Sequence, residues 1–216
     1  MFFDLHYYDV GIIKGENYVS FIVDTIISFA ERNFKFTRFE LAKLKYMLEV
    51  IFLNTGEFIL FLVIFGFLGK MTEFFVATGI LMGLRTFAGG FHLEKFRYCV
   101  ILSLAIFWAV IMISPTIDIT QGILEILLGL SLLINIIFAP VSKRRSGQSP
   151  KAKLLFKGIS TVIVLVFSYF ILKHQNSPLA SIAAWTIFIQ SVQLIIGKVL
   201  LTKDKTRGIS RKRLLR

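Results

Sequence analysis

The residues that could do chemistry crowd into one stretch of this chain, LRTFAGGFHLEKFRYCVILS, residues 84–103. Cys99, the only cysteine, is a candidate nucleophile, and His92, one of three histidines, is a candidate general base. A thiolate attacks a peptide carbonyl well, and an imidazole beside it can take the thiol proton and hand it to the leaving amine. In one continuous helix the two side chains would share a face but stand about 10 Å apart along the axis, at ~1.5 Å rise per residue. A cooperating pair needs roughly 3 Å between heavy atoms. The chain therefore has to bend, and Gly89-Gly90 supplies permissive backbone just ahead of His92. The polar run Glu94-Lys95-Phe96-Arg97 reads as a short connection between two apolar segments, so the pair is expected to meet across a helical hairpin.

Arg85 stands inside an apolar run. A central arginine costs roughly 2.5–3.5 kcal/mol to insert into a bilayer, which calls for a partner or a purpose. Glu49 and Glu57 on the preceding apolar segment bracket its expected depth. Two roles stay open on the residues alone: a structural ion pair, or a group that orients the site or clamps a substrate carboxylate. Glu94 is close to His92 in sequence but, two residues apart, would not face it on a helix. His6 and His174 are distant and read as bystanders. Oxyanion donors are expected among backbone amides at the start of the segment that carries Cys99, which would place Cys99 at a helix start.

The spacing of Arg85, four residues, Gly90, one residue, His92, six residues and Cys99 resembles the motif of the accessory gene regulator protein B (AgrB) family, membrane cysteine endopeptidases that process quorum-sensing propeptides. The resemblance implies that Cys99 and His92 are catalytic and that Arg85 and Gly90, with Gly89 beside them, support the site or bind substrate. It also implies the reaction: cleavage of a small amphipathic, AgrD-like propeptide through a Cys99 thioester, followed by ring closure to a thiolactone or lactone. No cofactor or metal is called for. Ala139-Pro140 matches a step frequent in relatives, although the stretch after it is basic here where theirs is commonly acidic. The rival class is a small-peptide permease in which Arg85 and Glu57 recognise cargo without covalent chemistry.

The elements that must position these groups are membrane helices. The mean hydropathy is +0.74 and 56% of the 216 residues are hydrophobic, above the roughly 45–50% usual in soluble domains. An all-α, polytopic helical bundle of about six spans is expected as one domain: 46–68, 73–90, 99–114, 122–141, 158–172 and 179–201. Ahead of it, the three-four spacing of Val19, Ile22, Val23, Ile26, Ile27 and Ala30 predicts an amphipathic helix over 17–32 lying at the interface. Thr37 followed by Glu40 reads as a capping box that opens the next helix. Residues 1–45 are read as interfacial, 46–201 as the bundle and 202–216 as a basic tail, and the start of the chain is not read as a signal peptide.

A single cysteine excludes an internal disulfide and any Cys-cluster metal site. The net charge of +12 would suggest nucleic acid in a soluble protein, but the basic residues border the spans, so the anionic inner leaflet of a cell membrane is the expected partner. With six spans, Lys95, Arg97, Lys143, Arg144, Arg145, Lys151, Lys153, Lys157 and seven basic residues after Leu201 share one side, and only Lys70 and Lys173 lie on the other. Both termini and the Cys99 region are therefore expected in the cytoplasm. The basic connector of residues 142–157 could also hold an acidic propeptide tail. Gly79 and Gly83 form a GxxxG pattern that permits close packing, as in a homodimer.

Overall fold

The computed structural model describes residues 17–90, 96–117, 120–141 and 149–214, nearly all of them helical. Among the described residues seven helices follow in order: α1 (Asn17–Asn33), α2 (Arg38–Phe67), α3 (Met71–Ala88), α4 (Phe96–Trp108), α5 (Gln121–Phe138), α6 (Pro150–Lys173) and α7 (Pro178–Leu214). A wide π turn over Ala109–Ile113 and a short 3-10 turn over Ser114–Thr116 prolong α4. His92, Glu94, Lys95 and the connector residues Lys143, Arg144 and Arg145 lie outside the described residues. The chain divides into two compact units, one containing α1, α2 and the start of α4 as far as Ile101, the other α3, α4 from Leu102, and α5 to α7.

In the first unit, α1 takes the amphipathic form its spacing implies. Val23 and Ala30, two turns apart, are buried, while Phe21 and Phe29 keep 74% and 64% of their surface exposed. The helix packs on α2, and Lys45 Nζ on α2 lies 2.6 Å from Asp24 Oδ1. The capping box is present: the Thr37 N–H donates to Glu40 Oε2 at 2.8 Å, and the Glu40 N–H to Thr37 Oγ1 at 3.3 Å. α2 then runs for 30 residues, about 45 Å at ~1.5 Å per residue, longer than the ~30 Å hydrocarbon core. Only Phe61 and Phe65 on it are buried, and Phe67 at its end is 90% exposed. Such a surface is ruinous in water and neutral in lipid, where the tails are as apolar as the side chains.

The second unit is arranged around α7, which packs against α5, α3 and α6. Ala180, Ala183 and Ala184 give it a slim face against Ile80, Leu84 and Leu128 of the core. Polar groups lie inside and apolar ones outside. Ser131, Asn135, Ser160, Gln190 and Ser191 are buried, while Ile126, Leu133, Ile137, Leu155 and Val162 are exposed. The inner groups tie the helices together: Ser160 Oγ donates to Asn135 Oδ1 at 2.9 Å between α6 and α5, and Ser191 Oγ to the Ser131 carbonyl at 3.3 Å between α7 and α5. Bonds of this kind are worth about 0.6 kcal/mol each in a membrane bundle.

Among the described residues five helices are long and apolar enough to cross a membrane: Arg38–Phe67, Tyr98–Thr116, Gln121–Phe138, Pro150–Lys173 and Pro178–Lys203. α3, expected as a further span, is outside this set because Glu73 and Arg85 reduce its apolar content. It lies within the bundle, with Phe74, Ala77, Ile80, Leu84 and Ala88 buried. Two ends differ from the expected spans. α6 starts at Pro150, capped by Ser149, whose hydroxyl accepts from the Ala152 N–H at 3.3 Å, so Lys151, Lys153 and Lys157 ride on a helix rather than a loop. α7 likewise continues through the basic residues after Leu201. A hydropathy boundary is where lipid ends, and nothing in Lys or Arg stops a helix there.

Candidate active site

The site begins at the end of α3. Gly89 closes that helix with φ +83° and ψ −153°, its N–H donating to the Arg85 carbonyl at 3.1 Å. The chain then runs briefly alongside the segment after α5: Val141 N–H donates to the Ala88 carbonyl at 2.8 Å and Gly90 N–H to the Val141 carbonyl at 3.0 Å. A Cβ at Gly89 would stand 2.1 Å from the Val141 oxygen, and no side chain fits there. Ala88, Ala139, Val141 and Leu194 pack around this contact. The bend expected at Gly89-Gly90 is therefore real, and it is fastened to the end of α5, where the Ala139–Pro140 bond is cis.

α7 supplies the second wall. Gln190, 1% exposed, donates from Nε2 to the Gly89 carbonyl at 2.8 Å. One turn on, Gln193 Oε1 accepts from Arg85 Nη2 at 3.2 Å. Among the described residues of its own unit the partner of Arg85 is thus a neutral amide. The described carboxylates there are engaged elsewhere, Glu73 with Lys70 at 2.8 Å and Glu125 with Gln121 at 3.0 Å; Glu49 and Glu57 belong to the other unit. Arg85 Nε and Gln190 Oε1 are buried and, among the described residues, have no hydrogen-bond partner. Gly90 faces both side chains: a Cβ on it would lie 3.7 Å from Arg85 Nε and 3.8 Å from Gln190 Nε2.

Cys99, which is in no disulfide, is half-buried in the first turn of α4. α4 as described begins at Phe96, three residues before Cys99. Phe96 and Arg97, expected in the connection, are already helical, so the connection is shorter than the polarity of its residues suggested. Gly79 and Gly83 have no atom near the Cβ each lacks, so the GxxxG face of α3 is open. Neither Gln190 nor Gln193 was singled out by the spacing of chemical groups. The available signal was compositional: two amides one turn apart, with Ser191 between them, in an otherwise apolar span.

A family model, accessory gene regulator B (AgrB), matches residues 23–194. That match runs from Val23 in α1 to Leu194 in α7 and takes in Arg85, Gly90, His92 and Cys99. The chain belongs to the AgrB family. A Clostridium beijerinckii protein described as AgrB-like is 25% identical over 171 residues, covering 78% of this chain and 83% of that protein. No solved structure matches the chain. Family membership and the long apolar helices make it a multi-pass membrane protein of the accessory gene regulator system. Arg85 and Gly90, both within the matched range, are parts of one hydrogen-bonded corner between α3, the end of α5 and α7.

Proposed function

We propose that this AgrB-family protein is a cysteine endopeptidase of the cell membrane that removes the C-terminal part of a small amphipathic, AgrD-like propeptide and supports cyclisation of the rest into a signal peptide. The observation that carries this reading is the four-residue motif of Arg85, Gly90, His92 and Cys99 within a chain of that family. The position of Cys99 in the first turn of α4 supports it. The leading N–H groups of a helix have no partner within it, and their partial positive charge favours the oxyanion that forms on an attacked carbonyl.

In the first step Cys99 Sγ bonds to the scissile carbonyl carbon, the C–N bond breaks, and His92 carries the thiol proton to the departing amine. The C-terminal fragment leaves and the N-terminal fragment stays as a thioester on Cys99. In the second, a Cys thiol or Ser hydroxyl within the bound fragment attacks that thioester. Its proton passes by way of His92 to Cys99 Sγ, which is released as the free thiol. Exchange between two thioesters is nearly balanced, so the energy of the first intermediate is conserved in a thiolactone. A site at the edge of the lipid limits water and with it hydrolysis of the intermediate. The basic residues flanking the spans favour a topology with both termini and Cys99 on the cytoplasmic side, beside an anionic leaflet at which an amphipathic substrate concentrates.

The test is reconstitution. Purified protein in liposomes is mixed with synthetic amphipathic, AgrD-like propeptides, quenched in acid and measured by intact mass. A Cys99 adduct with the mass of the N-terminal fragment is expected, absent in Cys99→Ala. Transport of uncleaved peptide with no adduct, unchanged in Cys99→Ala, would instead indicate a permease.

A further inference from the structure

The corner beside Gly90 holds two unmet hydrogen-bonding groups of opposite kind. Among the described residues Arg85 Nε–H is a buried donor without an acceptor, and Gln190 Oε1 a buried acceptor without a donor. The orientation of the Gln190 amide follows from its other end, because the atom facing the Gly89 carbonyl at 2.8 Å has to be the nitrogen. Leaving such groups unpaired forfeits the hydrogen bonds each would make to water in the unfolded chain. Both side chains reach the face of Gly90, where a single added carbon would sit in ordinary contact with Arg85 Nε and Gln190 Nε2.

We propose that Arg85 and Gln190 form a subsite for the substrate backbone, in which one residue of an extended peptide accepts from Arg85 Nε through its C=O and donates its N–H to Gln190 Oε1. The inference rests on the peptidase reading and names what holds the substrate. An extended residue presents its N–H and C=O on one edge, the pairing by which a strand adds to another strand. A carboxylate or a lipid phosphate would satisfy Arg85 alone and set a second acceptor against Gln190 Oε1, since both are acceptors only. A backbone amide supplies both complements. Gly90 lacks a side chain because a Cβ would occupy the space the peptide edge needs, whereas Gly89 lacks one because the Val141 carbonyl is in the way. The two glycines do different work.

The probe is the synthetic precursor that the wild-type protein cleaves, prepared as a series in which one backbone N–H at a time is replaced by an ester oxygen. One position in the series is expected to lower kcat/KM about tenfold, the loss of one hydrogen bond in a buried site. In Gln190→Met, which lacks the acceptor, the parent peptide is expected to be the slower by a similar factor and the ester at that position to cost nothing further. Gly90→Ala keeps Gln190 and its bond to Gly89, and is expected to fold with an unchanged melting temperature while cleaving the precursor at least tenfold less efficiently. Ester penalties that are the same in wild type and Gln190→Met, or a fully active Gly90→Ala, would overturn the subsite while leaving the peptidase reading intact. Cleavage that persists in Cys99→Ala would overturn the peptidase reading and the subsite with it.

Discussion

Gly89 and Val141 lie in such close contact that the α-carbon of the first has room for hydrogen only, a Cβ there falling 2.1 Å from the carbonyl oxygen of the second. This approach lets Ala88 and Gly90 exchange backbone hydrogen bonds with Val141, and it fixes where the chain leaves α3 on its way to His92. Replacing Gly89 with alanine must push the two segments apart and also strain a backbone at φ +83°. A loss on the order of 3 kcal/mol is expected, read as a drop of several degrees in the melting temperature in detergent. Gly90→Ala is the control, expected to be silent in the same measurement. If Gly89→Ala melts with the wild type, the close approach is not made.

Gln193 is the neutral acceptor for Arg85. Gln193→Leu keeps the volume and removes the oxygen, which leaves the guanidinium with one more unmet donor. The expected cost is about 1–3 kcal/mol, a melting temperature lower by a few degrees at this chain length. In Arg85→Met the same substitution should cost far less, since the donor has gone too. Equal losses in both backgrounds would show that Gln193 matters for packing and not for the arginine.

How much of this was legible beforehand depended on which residues carry local signals. Thr37 and Glu40, the spacing of Val23 and Ala30, and the bend at Gly89-Gly90 were readable because each acts within a few residues of itself. The helical class and the approximate number of spans followed from long apolar runs. Helix ends at Pro150 and beyond Leu201 were not readable, because hydropathy marks where lipid stops and not where backbone hydrogen bonds stop. In the candidate site the motif residues stood out by type and spacing, but Gln190 and Gln193 act on Gly89 and Arg85 from about a hundred positions away. A glutamine in an apolar run says only that something polar must be met, and which partner meets it is decided by how α7 packs on α3.

The capping box at the start of α2 offers a local test. Thr37→Ala removes the acceptor for the Glu40 N–H and the N-cap geometry with it. About 1 kcal/mol is expected from such a cap, concentrated in the first turns of α2. Hydrogen exchange should show faster amide exchange over residues 38–42, with the rest of the helix protected as before. Uniform acceleration along α2 would mean that the box supports more than its own turn.

Docking of α1 on α2 separates charge from packing. Lys45 and Asp24 keep 40% and 55% of their side-chain surface exposed, and an ion pair so well hydrated contributes at most about 1 kcal/mol. Val23 is fully buried. Lys45→Ala and high salt should therefore leave α1 as resistant to limited proteolysis as in wild type, while Val23→Asp, which buries an unpaired carboxylate, should release it to cleavage. Release by salt alone would reverse that order.

The single thiol makes the proposed orientation directly measurable. Cys99 is the only cysteine in the chain, so every maleimide label reports one position. Basic residues cluster on the side that six crossings assign to the 91–98 connection, and such residues resist transfer outward. An impermeant maleimide added to intact cells should leave Cys99 unmodified, and permeabilised cells should show labelling. In a Cys99→Ala background the reciprocal reporter Lys173→Cys, at the exposed end of α6, should be labelled from outside without permeabilisation. Labelling of Cys99 in intact cells would turn the bundle over and place the proposed chemistry on the outer face, where a precursor made in the cytoplasm would first have to be carried across.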